Sequence, residues 1–117
     1  MKEEFEARML RIHIGEADKW QGKPLHEAIV SKCQELGLAG VIVYRGIEGY
    51  GSSTRIHHAS YWKVSRDAPI MLSIIDREEQ IERLLPHLDA MVSEGLIAMS
   101  RVDVIRLSRS PAKEAPA

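Results

Sequence analysis

The residues with the most chemical potential lie in one stretch, RGIEGYGSSTRIHHASYW, from Arg45 to Trp62. It contains three glycines, two neighbouring serines, two arginines and two adjacent histidines. Each of these residue types suggests its own chemistry. The stretch therefore has four interpretations: an anion cradle, a metal site, a catalytic site or a loop without chemistry.

Gly46, Gly49 and Gly51 do not form a dinucleotide fingerprint, because no helix follows them and the order of their spacings is reversed. Two interpretations stay open. The glycines either permit positive φ where the chain leaves a strand, or they turn backbone N–H groups toward an anion that Arg45 and Arg55 neutralise.

His57 and His58 suggest a metal, but neighbouring residues on a strand point to opposite faces and cannot chelate one ion together. No cysteine and no carboxylate at ligand spacing completes a shell within the loop. We therefore predict no specific metal site, and a single metal-ligating histidine stays open as an alternative.

A catalytic triad can be drawn from Ser52 or Ser53 with His57 and Asp67. Such a serine needs a strained turn between a strand and a helix to present its hydroxyl, and the pattern offers none. We predict that the protein is not an enzyme.

Composition limits the partners and the compartment. The 117 residues suffice for one domain, and sixteen basic against seventeen acidic side chains create no field that would favour nucleic acid. No run approaches the about 18 apolar residues of a membrane span. The single cysteine, Cys33, lies in an apolar helical pattern and fits a buried thiol in a reducing compartment, so we expect a cytoplasmic protein.

Apolar periodicity predicts the first half of the fold. Residues 9–14 alternate as a half-exposed strand. A helix follows from Pro24 to a left-handed C-cap at Gly37. Residues 39–45 are apolar throughout, which is typical of a central, fully buried strand.

The second half repeats the pattern. Strands are predicted over 59–65 and 69–76, and Asp76 with Glu79 forms a capping box that starts a helix. Gly95 is expected to end that helix.

With a last strand over 96–107, the order is β-α-β twice. This predicts an α+β, ferredoxin-like βαββαβ fold, a four-stranded antiparallel sheet with two helices on one face. The single domain is expected to span 8–108, with disordered tails over 1–7 and 109–117. Both faces of the central strands are apolar and the helices cover only one, so a homo-oligomer is predicted.

The segments LRIHIGEADKWQGKPLHEAIV, GLAGVIVYRGIEGYG, RIHHA and DVIRL together resemble the PII-like family known as domain of unknown function 190. The resemblance extends from Leu10 to Leu107. That family is similar to the nitrogen regulatory PII and divalent-ion-tolerance superfamily. The resemblance implies a ferredoxin-like fold and a compact trimer whose sheets face inward.

In PII proteins the long loop after the second strand contacts partner proteins, and its base binds ATP or ADP beside the last strand of a neighbouring subunit. By resemblance, Gly49, Tyr50 and Gly51 match the turn that opens this loop, and Arg106 matches a phosphate-facing arginine. Ser52 and Ser53 stand where PII proteins have a basic residue and a glutamine. The lysine-bearing glycine loop before the last strand is reduced to residues 94–96.

We thus predict a PII-like regulator that binds a small anion, adenine nucleotide or another, between the subunits of a homotrimer, with no identified cofactor. Loop 46–58 would contact a partner, such as a membrane transporter or channel. The alternative is a divalent-metal-binding protein that uses His57 or His58. The predicted ligand-binding residues are Arg45, Gly46, Gly49, Tyr50, Gly51, Ser52, Arg55 and Arg106.

Overall fold

The fold is that of a computed structural model, which describes residues 2–50, 57–58 and 67–108, with the backbone alone for His57–His58. In chain order the elements are β1 (Lys2–Gly15), β2 (Lys19–Trp20), β3 (Lys23–Pro24), α1 (Leu25–Leu36), β4 (Ile42–Arg45), β5 (Glu48–Gly49), β6 (His57–His58), β7 (Pro69–Asp76), α2 (Glu78–Met91) and β8 (Leu96–Leu107). The predicted strand 59–65, the predicted tail 109–117 and the predicted site residues Gly51, Ser52 and Arg55 lie outside the described residues.

One antiparallel sheet of four strands, in the order β4-β7-β1-β8, forms the centre of the fold. Helix α1 connects β1 to β4, and α2 connects β7 to β8, so the chain follows the βαββαβ path of a ferredoxin-like domain. The predicted fold class is confirmed. A small hairpin of β2 and β3 precedes α1, and its turn residues Gln21 and Gly22 have φ of 50° and 82°.

Both helices pack on one face of the sheet. Alternate residues of β1 and β7 point to this face and are buried, and the helices bury their apolar stripes against them. The hydrophobic core comprises Leu10, Ile12, Ile14, Ile70, Leu72 and Ile74 from the strands, with Leu25, Ile29, Cys33, Ile81, Leu84, Leu88 and Met91 from the helices. Neither helix in the described part of the chain is long and apolar enough to cross a membrane.

The other face of the sheet, the open face, carries apolar side chains that neither α1 nor α2 covers. Directly paired residues of antiparallel strands share a face, and the register puts Tyr44, Met71 and His13 on the face opposite Leu72. Large apolar groups here are exposed: Ile42 by 53%, Tyr44 by 48%, Ile75 by 43% and Leu96 by 60%. Both faces of the sheet therefore carry apolar side chains, as predicted.

Strand β4 is an edge strand, so its predicted central and fully buried position is wrong. All four of its residues are exposed. The apolar residues of β4 are therefore not explained by a position between two other strands of this chain. The central positions belong to β1 and β7.

The predicted disordered tail over 1–7 is also wrong for the part that is described. Residues 2–7 form the first half of β1 and pair with residues 102–107 of β8. Because β7 ends opposite Arg8, these two segments form a two-stranded extension of the sheet, here called the ribbon. The charges of Lys2, Glu3 and Glu4 gave this segment the composition of a tail, whereas its backbone forms a ladder with β8.

The helix boundaries agree with the sequence at α1 and differ at α2. Gly37 ends α1 with φ 79°, as predicted. Asp76 is not the N-cap of α2. The N-cap is Arg77, and the Asp76 carboxylate accepts hydrogen bonds from the N–H groups of Arg77 (2.7 Å) and Ala39 (2.9 Å). The helix ends at Met91, four residues before Gly95.

Candidate functional site

Arg45 lies at the base of loop 46–58, as the last residue of β4. Its Nη2 donates a hydrogen bond to Glu16 Oε1 at 2.7 Å. The same carboxylate oxygen accepts the N–H of Ala68 at 3.3 Å, and Glu16 donates its own N–H to the Ala68 carbonyl at 2.8 Å. Glu16 therefore connects the end of β1, the end of β4 and the start of β7.

Opposing influences act on the Glu16 carboxyl. Burial raises its pKa, but the hydrogen bonds from Arg45 and Ala68 and the charge of Arg45 outweigh burial and leave the pKa below its usual value. Glu16 is thus ionised at neutral pH and faces an arginine that is about half exposed. An external anion at Arg45 has to compete with this carboxylate or use the remaining N–H donors.

Gly46 follows Arg45 and lies against the start of β7. Its N–H donates to the Pro69 carbonyl at 2.8 Å, so this N–H is not available to an anion. A Cβ at position 46 would lie 2.6 Å from Pro69 Cγ. Close approach of the two segments therefore requires glycine here, and the predicted role of Gly46 in ligand binding stays a prediction that does not involve its N–H.

Gly49 and Tyr50 lie in the first part of loop 46–58. Gly49 belongs to β5 and pairs with His57 of β6. A Cβ at Gly49 would meet nothing within 4 Å, and neither Gly46 nor Gly49 has positive φ. The interpretation in which these glycines permit positive φ therefore does not apply to Gly46 or Gly49. Tyr50 is exposed by 69% and is accessible to a partner molecule.

Arg106 lies far from the loop, on the ribbon. Its Nη1 is 3.9 Å from Glu3 Oε1, and its Cζ is 5.6 Å from the centre of the Phe5 ring. Arg77, which precedes α2, approaches the same two residues: Nη2 donates to Glu3 Oε2 at 2.8 Å, and Cζ lies 4.0 Å from the ring centre. We call Glu3, Phe5, Arg77 and Arg106 the ribbon cluster.

One copy of the chain does not bring Arg45 and Arg106 together. Arg45 pairs with Ile70, which pairs with Ile14, whereas Arg106 pairs with Glu3. Ile14 and Glu3 are eleven positions apart on β1, which is about 36 Å at the rise of a strand. A ligand that contacts both arginines has to lie between two copies.

The histidines of the loop provide little geometry for a metal. The backbone of His57 and His58 forms β6, antiparallel to β5. Within 2–50 and 67–108, no three His, Cys, Asp or Glu side chains are grouped to hold a metal ion. Asp67, the acid of the triad considered above, accepts the N–H of Ala17 at 3.1 Å through Oδ1.

A cleft of about 370 Å³ lies between the start of α2 and the base of the ribbon. None of the described predicted site residues lines it. Its charged lining residues are Glu6, Arg8, Arg77, Glu78, Glu79, Arg101 and Asp103. Acids and bases are nearly balanced, and Arg8 is already paired with Glu78, so the lining has no excess of positive charge that would attract an anion.

Sequence reasoning missed Glu16, Glu3, Phe5 and Arg77. Glu16 gave no signal, because its link to Arg45 joins residues 29 positions apart in the chain. The ribbon did give one. Phe5, Ala7 and Met9 alternate with the charged residues Glu6 and Arg8, which is the pattern of a strand that begins well before Leu10.

Comparison with known families gives one match over most of the chain. Residues 7–104 match the model of the family DUF190, described as Uncharacterized ACR. A UPF0166 protein of Aquifex aeolicus is 34% identical over 100 residues, which cover 86% of this chain and 94% of that protein. A UPF0166 protein of Methanocaldococcus jannaschii is 30% identical over 103 residues, covering 87% and 94%.

Solved structures with the same fold include PII-like proteins and a CutA protein. CPII of Thiomonas intermedia K12, solved with ADP and bicarbonate, superposes with a TM-score of 0.63 at 19% identity, covering 87% of this chain and 91% of that one. A putative PII-like signalling protein of Thermus thermophilus gives 0.58 at 17% identity, covering 89% and 92%. CutA of Synechococcus elongatus gives 0.53 at 14% identity, covering 89% and 85%.

Proposed function

The chain belongs to the DUF190 family, and on that basis we propose that it is a PII-like regulatory protein without enzymatic activity. It binds a small anionic metabolite or a nucleotide in clefts between the subunits of a homotrimer. It presents loop 46–58 to a partner protein, such as a membrane transporter or channel.

The observation that carries this proposal is the apolar open face of the sheet, which neither α1 nor α2 covers. Exposed side chains such as Ile42, Tyr44 and Ile75 form a surface that a folded protein ordinarily buries against a partner. A second copy presents a complementary apolar surface without any further component. Three inward-facing sheets would bury this face in every subunit.

Assembly would also complete the anion site. The loop base with Arg45 lies at one end of the sheet, and Arg106 lies on the ribbon at the other end. A neighbouring subunit can place its Arg106 beside this Arg45, so that two guanidinium groups face one ligand. Charge-assisted hydrogen bonds of this kind are among the stronger polar contacts.

Glu16 suggests how occupancy of the cleft would reach the loop. An anion at Arg45 competes with the Glu16 carboxylate, which holds β1, β4 and β7 together at the loop base. A weaker Arg45–Glu16 contact would loosen the start of loop 46–58 and change what the loop offers to a partner. The Thiomonas protein was solved with ADP and bicarbonate, and we propose these two compounds as the first ligands to test here.

Cys33 supports the proposed cytoplasmic location. Its thiol is buried and unpaired, and burial raises its pKa to about 11. The thiol is therefore protonated at neutral pH and suited to a reducing compartment.

The test is a thermal-shift screen with ADP, AMP and bicarbonate, followed by titration calorimetry. Arg106→Ala and Arg45→Ala should each weaken ligand binding by about 1.5 to 3 kcal/mol, the contribution of a hydrogen bond to a charged group. Arg83→Ala, whose arginine contacts the Leu36 carbonyl on the helix side, serves as the control and should bind normally.

Two results would contradict the proposal. Binding that neither Arg45→Ala nor Arg106→Ala weakens would place the ligand outside the proposed cleft. Stabilisation by divalent cations alone, abolished in His57→Ala, would favour the alternative function of a divalent-metal-binding protein.

A further inference from the structure

The ribbon cluster contains one carboxylate between two arginines. Glu3 directs Oε2 to Arg77 at 2.8 Å in a hydrogen bond, and its Oε1 is 3.9 Å from Arg106. The three side chains are similarly exposed, each slightly under half. The difference between the two contacts therefore lies in geometry and not in access to water.

Arg77 has a second contact, with an aromatic ring, that is much weaker for Arg106. The Arg77 guanidinium lies 4.0 Å from the centre of the Phe5 ring, whereas that of Arg106 is 5.6 Å away, near the limit for a cation–π contact. Phe5 and Glu3 alternate on β1 and face the same side of the ribbon. Together they hold Arg77 in one place.

We propose that Arg77 is a positioning residue that holds the Glu3 carboxylate and so leaves the Arg106 guanidinium available to an anion. This inference rests on the proposed function, in which Arg106 contacts the ligand. Among the described residues, Arg106 is the other cation within 4 Å of the Glu3 carboxylate. Without Arg77, Glu3 would act as an internal competitor for the same N–H donors that the ligand needs.

The size of the effect follows from the exposure of the pair. An ion pair between exposed side chains stabilises by an amount equivalent to about a two- to fivefold change in an equilibrium constant. Arg77→Gln should therefore weaken ADP binding by about two- to fivefold. Glu3→Gln should bind ADP as well as or better than the unchanged protein, because it removes the competitor.

The decisive variant is the double substitution, measured by calorimetry with ADP at low salt. If Arg77 acts only through Glu3, Arg77→Gln/Glu3→Gln should recover the affinity of Glu3→Gln. The loss in Arg77→Gln should also shrink at high salt, since exposed ion pairs are screened. Glu4→Gln is the matched control: this carboxylate is the next residue on β1, faces the other side and pairs with Lys2 at 3.2 Å. Its ADP affinity should not change.

The outcomes separate this inference from the function on which it rests. ADP binding that depends on Arg106 but is unchanged in Arg77→Gln overturns the positioning role alone. A double variant as weak as Arg77→Gln does so too, because Arg77 would then contact the ligand or support the ribbon directly. If none of ADP, AMP and bicarbonate binds, or if Arg106→Gln leaves the affinity for ADP unchanged, both proposals fall together.

Discussion

Arg45 and Glu16 join the ends of two strands that are not neighbours in the sheet. Arg45 is the last residue of β4 and Glu16 directly follows β1, with β7 between these strands. Their hydrogen bond of 2.7 Å spans the start of β7, where Ala68 donates to the same Glu16 oxygen. One ionised carboxylate therefore links the end of β4, which precedes loop 46–58, to the start of β7.

Acidification should remove this connection. The folded-state pKa of Glu16 is below its usual value, so its contribution to stability is complete above the unfolded-state value of about 4.3. The contribution is lost as the pH falls through the lower folded-state pKa. Urea unfolding from pH 7 to pH 3 should show the unchanged protein losing more stability than Glu16→Gln, by less than about 1 kcal/mol for such an exposed pair.

The difference between the two proteins is the quantity to follow. Glu35 also has a lowered pKa, through its hydrogen bond with Lys32 and the charge of Lys32, and it titrates in both proteins. Parallel pH profiles for the unchanged protein and Glu16→Gln would mean that the Arg45 contact contributes nothing to folding.

Much of the fold was predictable because local patterns decide it. The alternation of Leu10, Ile12 and Ile14 marks the buried face of β1, and Gly37 ends α1 with the backbone conformation that glycine permits. These signals lie within a few residues of the feature they specify. Periodicity and capping chemistry were sufficient there.

The errors concern features that depend on distant residues. An apolar run such as that of β4 is the same whether another strand of the chain or another molecule covers it, so the sequence could not distinguish an edge strand from a central one. Asp76 resembles an N-cap locally, but its carboxylate accepts the N–H of Ala39, 37 positions away in the chain. The candidate site was the part predicted least well, because Arg45 and Arg106 meet their acidic partners only in the folded chain.

Gly46 should be the glycine of the loop base that tolerates substitution least. In Gly46→Ala the new Cβ would lie 2.6 Å from Pro69 Cγ, and the proline ring cannot rotate away. We expect a loss of about 1 to 3 kcal/mol in the free energy of unfolding, as for other overpacked positions. Chemical denaturation of the variant measures it.

Gly49→Ala is the matched control, because a Cβ there meets nothing within 4 Å and φ is not positive. Its stability should stay within about 0.5 kcal/mol of the unchanged protein. Equal losses at both positions would indicate that backbone freedom, and not contact with Pro69, is what glycine provides.

Asp76 should matter for stability, and Glu79 should not. Asp76→Ala removes the acceptor of two backbone N–H groups, one of them on partly buried Ala39, and we expect a loss of about 1 to 3 kcal/mol. Glu79→Ala would cost as much if a capping box started α2, but the N-cap is Arg77 without a side-chain cap. Urea unfolding of both variants should show Glu79→Ala within about 0.5 kcal/mol of the unchanged protein.

The assembly itself gives the last prediction. Light scattering at micromolar concentration should give about three times the chain mass of 13.2 kDa, because trimer formation covers the open face. Ile42→Asp or Ile75→Asp should shift the mass toward one chain, since burying an unpaired carboxylate in an apolar contact is costly. Ile47→Asp is the control, because Ile47 is 76% exposed and lies outside the four-stranded sheet. A trimer that survives both open-face substitutions would be held together by another surface. If the unchanged protein is monomeric, Arg45 and Arg106 stay about 36 Å apart, the separation given by the strand rise. The two arginines could then share no ligand.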